Sequence, residues 1–306
     1  MNKFLAYAQL VRLPNTFTAM ADICVGALAA IAMGLFADRW LSFLCLLVAS
    51  TLLYWSGMVW NDFFDVEQDR KERPGRPIPS GRVTLNHARL LGIGLMLGGV
   101  LFAWLADLLR EPGPWRSIRV AIILVIAVFL YDGVFKRTFA GPVLMGLCRF
   151  LNILLGLTLL GAWPPFWGWL IAIVVGSYIA GVTWFARTEA TVSKQPMLIA
   201  AAGVMLASLF MALAVPALAL QTPHDFKPSM AFPYLLALFG GYLGLAIWRA
   251  IQQPQPNRVQ PAIKRAIFGL VVLDALLASA LIGSPGLLLI VLLLPGIILG
   301  RWLYST

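Results

Sequence analysis

The chain has 306 residues, 60% of them hydrophobic and only 12% charged, with a net charge of +10. Soluble domains run near half apolar and about a quarter charged, so this composition excludes an ordinary soluble fold and makes the bilayer the solvent for most of the surface. The positive balance does not point to nucleic acid, because no basic tail or aromatic-rich basic segment accompanies it, and Lys and Arg of membrane proteins gather in cytoplasmic loops.

At the N-terminus, Lys3 and Arg12 straddle a short amphipathic stretch. It does not read as a signal peptide, since the apolar segment after it is long enough to span. A spanning helix needs roughly 20 mainly apolar residues. Ten segments qualify, at about 14–36, 41–60, 88–108, 117–135, 139–161, 165–186, 196–220, 231–251, 263–283 and 286–304. The fourth is short and flanked by Arg116 and Arg119, and the last two are divided only by Ser284 and Pro285. The longest polar interval, 61–87, is too short for a core of its own, so residues 1–306 are expected to form a single transmembrane domain. Cys24, Cys45 and Cys148 lie inside apolar runs without a CxxC pair and read as small core residues.

Threading these segments through a bilayer sorts the loop charges. Arg39, Arg110, Arg116, Arg119 and Lys227 fall on one side and Arg149 lies within a span, which leaves 17 of the 23 Lys and Arg on the side of the 61–87 loop. That bias puts this loop and both termini in the cytoplasm, in a bacterial-type inner membrane.

The second span runs directly into Asn61-Asp62-Phe63-Phe64-Asp65-Val66-Glu67-Gln68-Asp69-Arg70. On a helix Asp62, Asp65 and Asp69 share one face, joined by Asn61, while Glu67 points elsewhere. Three carboxylates on one stripe at a membrane boundary repel each other and call for a divalent cation. Oxygen donors without His or Cys favour Mg²⁺ or Ca²⁺ over zinc. The alternative is a solvated acidic helix end neutralised by Arg70, Lys71 and Arg73. The residues that follow, Arg73-Pro74-Gly75-Arg76-Pro77-Ile78-Pro79-Ser80-Gly81-Arg82, favour the first reading. Prolines and glycines make the loop compact and bring Arg73, Arg76 and Arg82 back over the acids. Acids that hold a metal beside fixed guanidiniums suit a diphosphate.

The string NDFFDVEQDRKERPGRPIPSG resembles the signature of the UbiA prenyltransferase superfamily, and similarity of layout covers roughly residues 5–285. The resemblance implies an all-α, polytopic transmembrane bundle of nine core helices around a central cavity, with two metal-binding helix ends at its cytoplasmic mouth. The tenth apolar segment exceeds that number. Tyr131-Asp132-Gly133-Val134-Phe135-Lys136-Arg137 resembles the family's aromatic and basic segment between helices four and five, which implies diphosphate contacts from Lys136 and Arg137. Asp132 either pairs with a cation or faces the cavity. Arg149 and Asn152, three apart on one face, need a partner inside the bilayer, either a diphosphate or an acid such as Asp22. Asn15 and Asp22 are expected near the cavity. Asp274 is assigned no role, and His87 and His224 read as loop histidines.

The family carries a second acidic motif where helix six leaves the membrane. Here that position reads Thr183-Trp184-Phe185-Ala186-Arg187-Thr188-Glu189, with Glu189 the one carboxylate. The string TWFARTEA and the N-terminal region resemble the EboC-like subgroup. Glu189 is expected to support a weaker second metal site, or Arg187 to replace that metal, or the protein to bind a prenyl diphosphate without turning it over. The expected function is an Mg²⁺-dependent intramembrane prenyltransferase. Asp62, Asp65 and Asp69 would hold the metal, Arg73, Arg76, Lys136 and Arg137 the leaving diphosphate, and Trp55, Tyr131 and Trp184 would shield an allylic cation. Its partners are a prenyl diphosphate, a hydrophobic or aromatic acceptor and membrane lipids. The alternative is a non-catalytic lipid or metabolite binder or transporter. The pattern of a CDP-alcohol phosphotransferase is absent.

Overall fold

A computed structural model describes residues 3–110, 115–189, 191–224 and 226–304. Among these, ten helical segments are long and apolar enough to cross a membrane. They lie within a few residues of the segments read from hydropathy, because in lipid every backbone polar group must be satisfied within its own segment.

A short helix α1 (Lys3–Leu10) precedes a tight reversal, where Arg12 adopts a left-handed φ of 51° before the 3₁₀ turn Leu13–Asn15. The spanning helices follow as α2 (Thr16–Ala32) and α3 (Trp40–Phe64), then the short α4 (Val66–Glu72), α5 (Leu85–Leu108), α6 (Arg116–Leu130), α7 (Gly141–Leu157) and α8 (Phe166–Phe185). After α9 (Gln195–Ala212) a break before Pro216 gives the short α10 (Val215–Leu220). The last spans are α11 (Phe232–Gln252) and α12 (Pro256–Ile282). The ninth span therefore begins several residues earlier than its hydropathy suggested, with Pro261 inside its first turns. The tenth apolar segment is a 3₁₀ stretch, Ser284–Leu292, that passes into α13 (Leu293–Tyr304).

The nine long helices pack in chain order around a ring, and α12 closes it against α2. Helix α2 also crosses α7, and α12 crosses α8, so these four fill the centre. The segment Ser284–Tyr304 lies outside the ring against α12, α2 and the Leu13–Asn15 turn, with most of its surface toward lipid. Small residues set the closest approach, as expected where van der Waals packing drives helix association. A Cβ on Gly26 of α2 would sit 2.2 Å from the carbonyl carbon of Gly156 on α7. Gly26→Val is therefore expected to cost about 1–3 kcal/mol, measured as a lowered thermal midpoint in detergent. An unchanged midpoint would contradict backbone contact at this crossing.

On the side opposite the aspartate loop, Asp107 caps α6 by accepting from the Ser117 and Ile118 amides at 3.1 and 3.0 Å. Arg39, Arg110 and Arg116 donate to the carbonyls of Leu159, Thr158 and Gly161. These guanidiniums thus satisfy the orphan carbonyls where α7 ends.

Candidate functional site: a cation-ringed chamber at the end of α3

Asn61 and Asp62 belong to the last turn of α3, with both side chains buried. The single continuous helix expected through Asp69 is interrupted, since α3 ends at Phe64 and α4 starts at Val66. The winding nevertheless persists across the break. The Asp65 amide donates to the Asn61 carbonyl at 3.1 Å, and the Asp69 amide to the Asp65 carbonyl at 2.8 Å. Asn61, Asp65 and Asp69 consequently still look into one chamber, with Asp62 beside them.

The loop after α4 is fixed from below. Ile78 and Val83 are buried against Ala6, Leu10, Val11, Val59 and Ala88, which clamps the loop between α1, α3 and α5. Turn bonds from the Arg76 amide to the Arg73 carbonyl and from Ser80 to Arg76, both 3.0 Å, keep it compact. Arg76 is thereby aimed at the acids, with Nη1 donating to Asp69 Oδ2 at 2.6 Å and to Asp62 Oδ1 at 3.2 Å. Arg73 instead reaches across the chamber to Glu189 at 3.7 Å. Arg82 does not return to the acids; it bonds Gln9, Ser80 and the Gly75 carbonyl and so braces the loop. Arg70 pairs with exposed Glu67, away from the chamber.

At the end of α6 the backbone widens into a π-helical turn, Tyr131–Phe135, closed by the Lys136 amide on the Tyr131 carbonyl at 2.7 Å. Such turns re-aim side chains and recur at functional sites. Here it delivers Lys136 to Asp65 as an ion pair. Arg137 donates to Gln68 Oε1 at 2.9 Å and approaches Asp65 at 3.5 Å. Asp132, one residue past Tyr131, accepts from Asn61 Nδ2 at 2.8 Å.

Two residues were not singled out from the sequence. Arg12 was read only as a loop charge, yet its Nη2 donates to Asn61 Oδ1 at 3.1 Å and to Asp62 Oδ1 at 3.3 Å. The usable signal was Arg-Leu-Pro-Asn, a turn immediately before a span. Asp274 was given no role, but it is fully buried and faces Asp22 within hydrogen-bonding range. Asp22 Oδ2 accepts from Arg149 Nη1 at 3.1 Å and from Asn152 Nδ2 at 2.7 Å. Asn152 further bonds Ser50 and the Ala19 carbonyl, at 2.7 and 3.0 Å. Asp22 is accordingly the intramembrane partner of Arg149 and Asn152, and it lies outside both cavity walls rather than on them.

The chamber has a volume of about 670 Å³. Its polar wall carries Asn15, Arg12, Arg73, Arg76, Lys136, Arg137 and Arg187, with Asp65, Asp69, Glu72 and Glu189. Its floor carries Ile179, Val182, Ile263, Ile267 and Leu270. A narrower apolar cavity of about 90 Å³ extends it between α3, α6 and α7, lined by Leu53, Gly57, Leu124, Val128 and Cys148. The two share Tyr54, Met58, Asn61, Tyr131, Met145 and Arg149, so a charged mouth adjoins a greasy interior. Arg149 stacks over the Tyr54 ring at 5.6 Å. Tyr131 lines both spaces, whereas Trp55 donates to Thr16 and Trp184 packs on Phe139, and neither tryptophan lines either of these two spaces. Tyr54 occupies the position that the sequence reading gave to Trp55.

The donor set fits a hard divalent cation, since Asn61, Asp62, Asp65 and Asp69 offer only oxygens. Among the described residues no three acidic, imidazole or thiol groups close around one point. The same oxygens are instead held by Arg12, Arg76 and Lys136. This agrees with Mg²⁺ chemistry, which takes one or two carboxylates and completes its octahedron with water and substrate phosphate. Guanidiniums and an ammonium that pair with carboxylates here are equally suited to phosphate oxygens.

The UbiA prenyltransferase family model matches residues 21–268, most of the chain. The chain belongs to the UbiA prenyltransferase family. Curated relatives include digeranylgeranylglyceryl phosphate synthases of Saccharolobus solfataricus and Methanocaldococcus jannaschii. The first is 31% identical over 156 residues, 49% of this chain and 50% of the relative. The second is 32% identical over 173 residues, 50% of this chain and 59% of the relative. This UbiA chain thus spans about half the length of the curated relatives it matches. In fold it is similar to a solved digeranylgeranylglyceryl phosphate synthase, with TM-score 0.62 and 19% identity over 92% of this chain and 99% of that one. It is also similar to a UbiA homologue from Archaeoglobus fulgidus bound to GPP and Mg²⁺, with TM-score 0.58 and 13% identity over 94% and 99% of the two chains. Ten apolar helical segments and UbiA membership make this an integral, multi-pass membrane protein.

Proposed function

We propose that this protein is an intramembrane prenyltransferase that moves an isoprenyl group from a prenyl diphosphate to a lipophilic acceptor. The observation that carries the reading is the convergence of Asp62, Asp65 and Asp69 with Arg12, Arg76 and Lys136 on one chamber that runs into an apolar cavity. The acids, with Asn61, would hold Mg²⁺, which when bound supplies positive charge to the diphosphate oxygens. Arg73, Arg76, Lys136 and Arg137 bind the diphosphate and stabilise the charge it gains on departure. Tyr54 and Tyr131 present π faces at the junction of the two spaces, where cationic character develops on the allylic carbon. Asp22, itself held by Asn152, holds Arg149 at that junction, and Asn15 lines the chamber. The bundle excludes water from the allylic centre.

The relatives support a first choice of acceptor for trial. Their name describes a glyceryl phosphate lipid, so a prenylglyceryl phosphate heads the acceptors to be tried, followed by aromatic rings. The excess of Lys and Arg on the chamber side supports a cytoplasmic chamber and cytoplasmic termini.

The purified protein incubated with geranyl or geranylgeranyl diphosphate, Mg²⁺ and these acceptors should release diphosphate and form prenylated product. Chelation by EDTA should stop both, and added Mg²⁺ should restore them. Tight binding of the prenyl diphosphate without turnover across the acceptor panel would replace this reading by the binder or transporter. That alternative draws on the single carboxylate, Glu189, at the end of α8.

A further inference from the structure

The wall of the chamber facing Asp62–Asp69 is made by the end of α8 and the 3₁₀ turn Ala186–Thr188. It presents Arg187 and Glu189 to the chamber. Glu189 is engaged by Arg73 at 3.7 Å. Arg187 Nη2 donates at 3.1 Å to the Arg137 carbonyl, so its partner is a neutral backbone oxygen rather than a carboxylate. A hard divalent cation needs several oxygen donors, and this wall offers one carboxylate that already has a cation.

Arg12, Arg73, Arg76, Lys136, Arg137 and Arg187 surround the chamber as six cations. Against them stand six carboxylates, Asp65, Asp69, Glu72 and Glu189 on the wall and Asp62 and Asp132 held beside it by Arg12 and Asn61. Arg149 is neutralised by Asp22 behind it. A prenyl diphosphate brings roughly three negative charges, about two of them on its terminal phosphate.

We propose that the chamber takes one divalent cation, and that Arg187, flanked by Arg73 and Arg137, grips the phosphate remote from Asp62–Asp69 in place of a second ion. This rests on the diphosphate reading of the chamber. The guanidinium fork matches two phosphate oxygens at once, which an ammonium does not. When the bond from the allylic carbon to its diphosphate oxygen breaks, the electron pair stays on the diphosphate. The charge gained there falls between the acids that would hold the metal on one wall and Arg187 on the other. The carbon bonds to the acceptor, whose displaced proton leaves to solvent.

The test uses the full chain in nanodiscs, Mn²⁺ as a paramagnetic probe, and geranyl thiolodiphosphate as an analogue that resists ionisation. Electron paramagnetic titration is expected to count one Mn²⁺ per chain in the presence of the analogue. Arg187→Ala should weaken analogue binding by roughly 10–100-fold, with Arg187→Lys intermediate, since a charge-assisted bidentate pair is lost or reduced to a point charge. The Mn²⁺ count should stay unchanged in both variants. Two Mn²⁺ per chain, or wild-type analogue affinity in Arg187→Ala, overturns the proposal while leaving the diphosphate site standing. Failure of the wild-type protein to bind the analogue at any Mn²⁺ concentration removes the diphosphate reading itself.

Discussion

Asp65→Ala is expected to reduce Mg²⁺-dependent diphosphate release by roughly 10³-fold or more, because one truncation removes two electrostatic elements together. Asp65 sits at the break between α3 and α4, where its carboxylate faces the chamber and pairs with Lys136. Its loss deletes an oxygen donor for the metal and frees Lys136 from the position the π-helical turn gives it. Asp65→Asn keeps the shape but not the charge and should fall nearly as far. Lys136→Ala, which spares the acids, should lose about 10²–10³-fold, the usual effect of removing one fixed donor from a developing anion. These effects should fall on kcat more than on KM, since the interaction strengthens as the diphosphate gains charge. Phosphorus NMR of released diphosphate reads the result. Turnover of Asp65→Ala within about threefold of wild type would end the assignment of the acids to diphosphate chemistry.

The second large effect concerns stability and lies deeper. Asp22, Asp274 and Arg149 form a group in which two carboxylates face one guanidinium inside the bilayer-spanning core. Asp22→Ala strands Arg149 beside Asp274 and Thr18, and breaking a buried pair in this way costs about 3–5 kcal/mol. Asp274→Asn should be nearly neutral. Among the described residues neither Asp274 oxygen receives a hydrogen bond, and an amide there can donate to the facing Asp22 without adding charge. The double variant Asp22→Ala with Arg149→Met should recover most of the loss, because replacing a whole buried ion pair by apolar groups is often neutral. Thermal unfolding of the three variants in one detergent distinguishes the outcomes. A severe loss in Asp274→Asn together with a mild one in Asp22→Ala would mean that Asp274, not Asp22, anchors Arg149.

The aspartate string was legible because its period matches a helix and its sequel, with three prolines and two glycines from Pro74 to Gly81, cannot be helical. The break at Asp65 was not legible, since the i to i+4 spacing of Asn61, Asp65 and Asp69 is the same whether the helix continues or bends. Arg82 and Arg76 carry the same charge in the same loop. Only the burial of Ile78 and Val83 under α1 decides that Arg76 turns toward the acids and Arg82 toward Gln9. Trp55 and Tyr54 are adjacent, and one step of 100° around α3 sends one to Thr16 and the other to the cavity.

By itself the sequence determined the all-helical membrane architecture, the order of its spans and the family, because hydropathy, helical period and one long polar string are local properties of the chain. Tertiary structure decided which charges meet. Arg12 reaches Asp62 across 50 residues, Lys136 reaches Asp65 across 71, and Asp274 finds Asp22 only when α12 closes the ring on α2. Coulombic partnership depends on distance in space, and in a closed bundle that distance is set by helix packing rather than by separation along the chain.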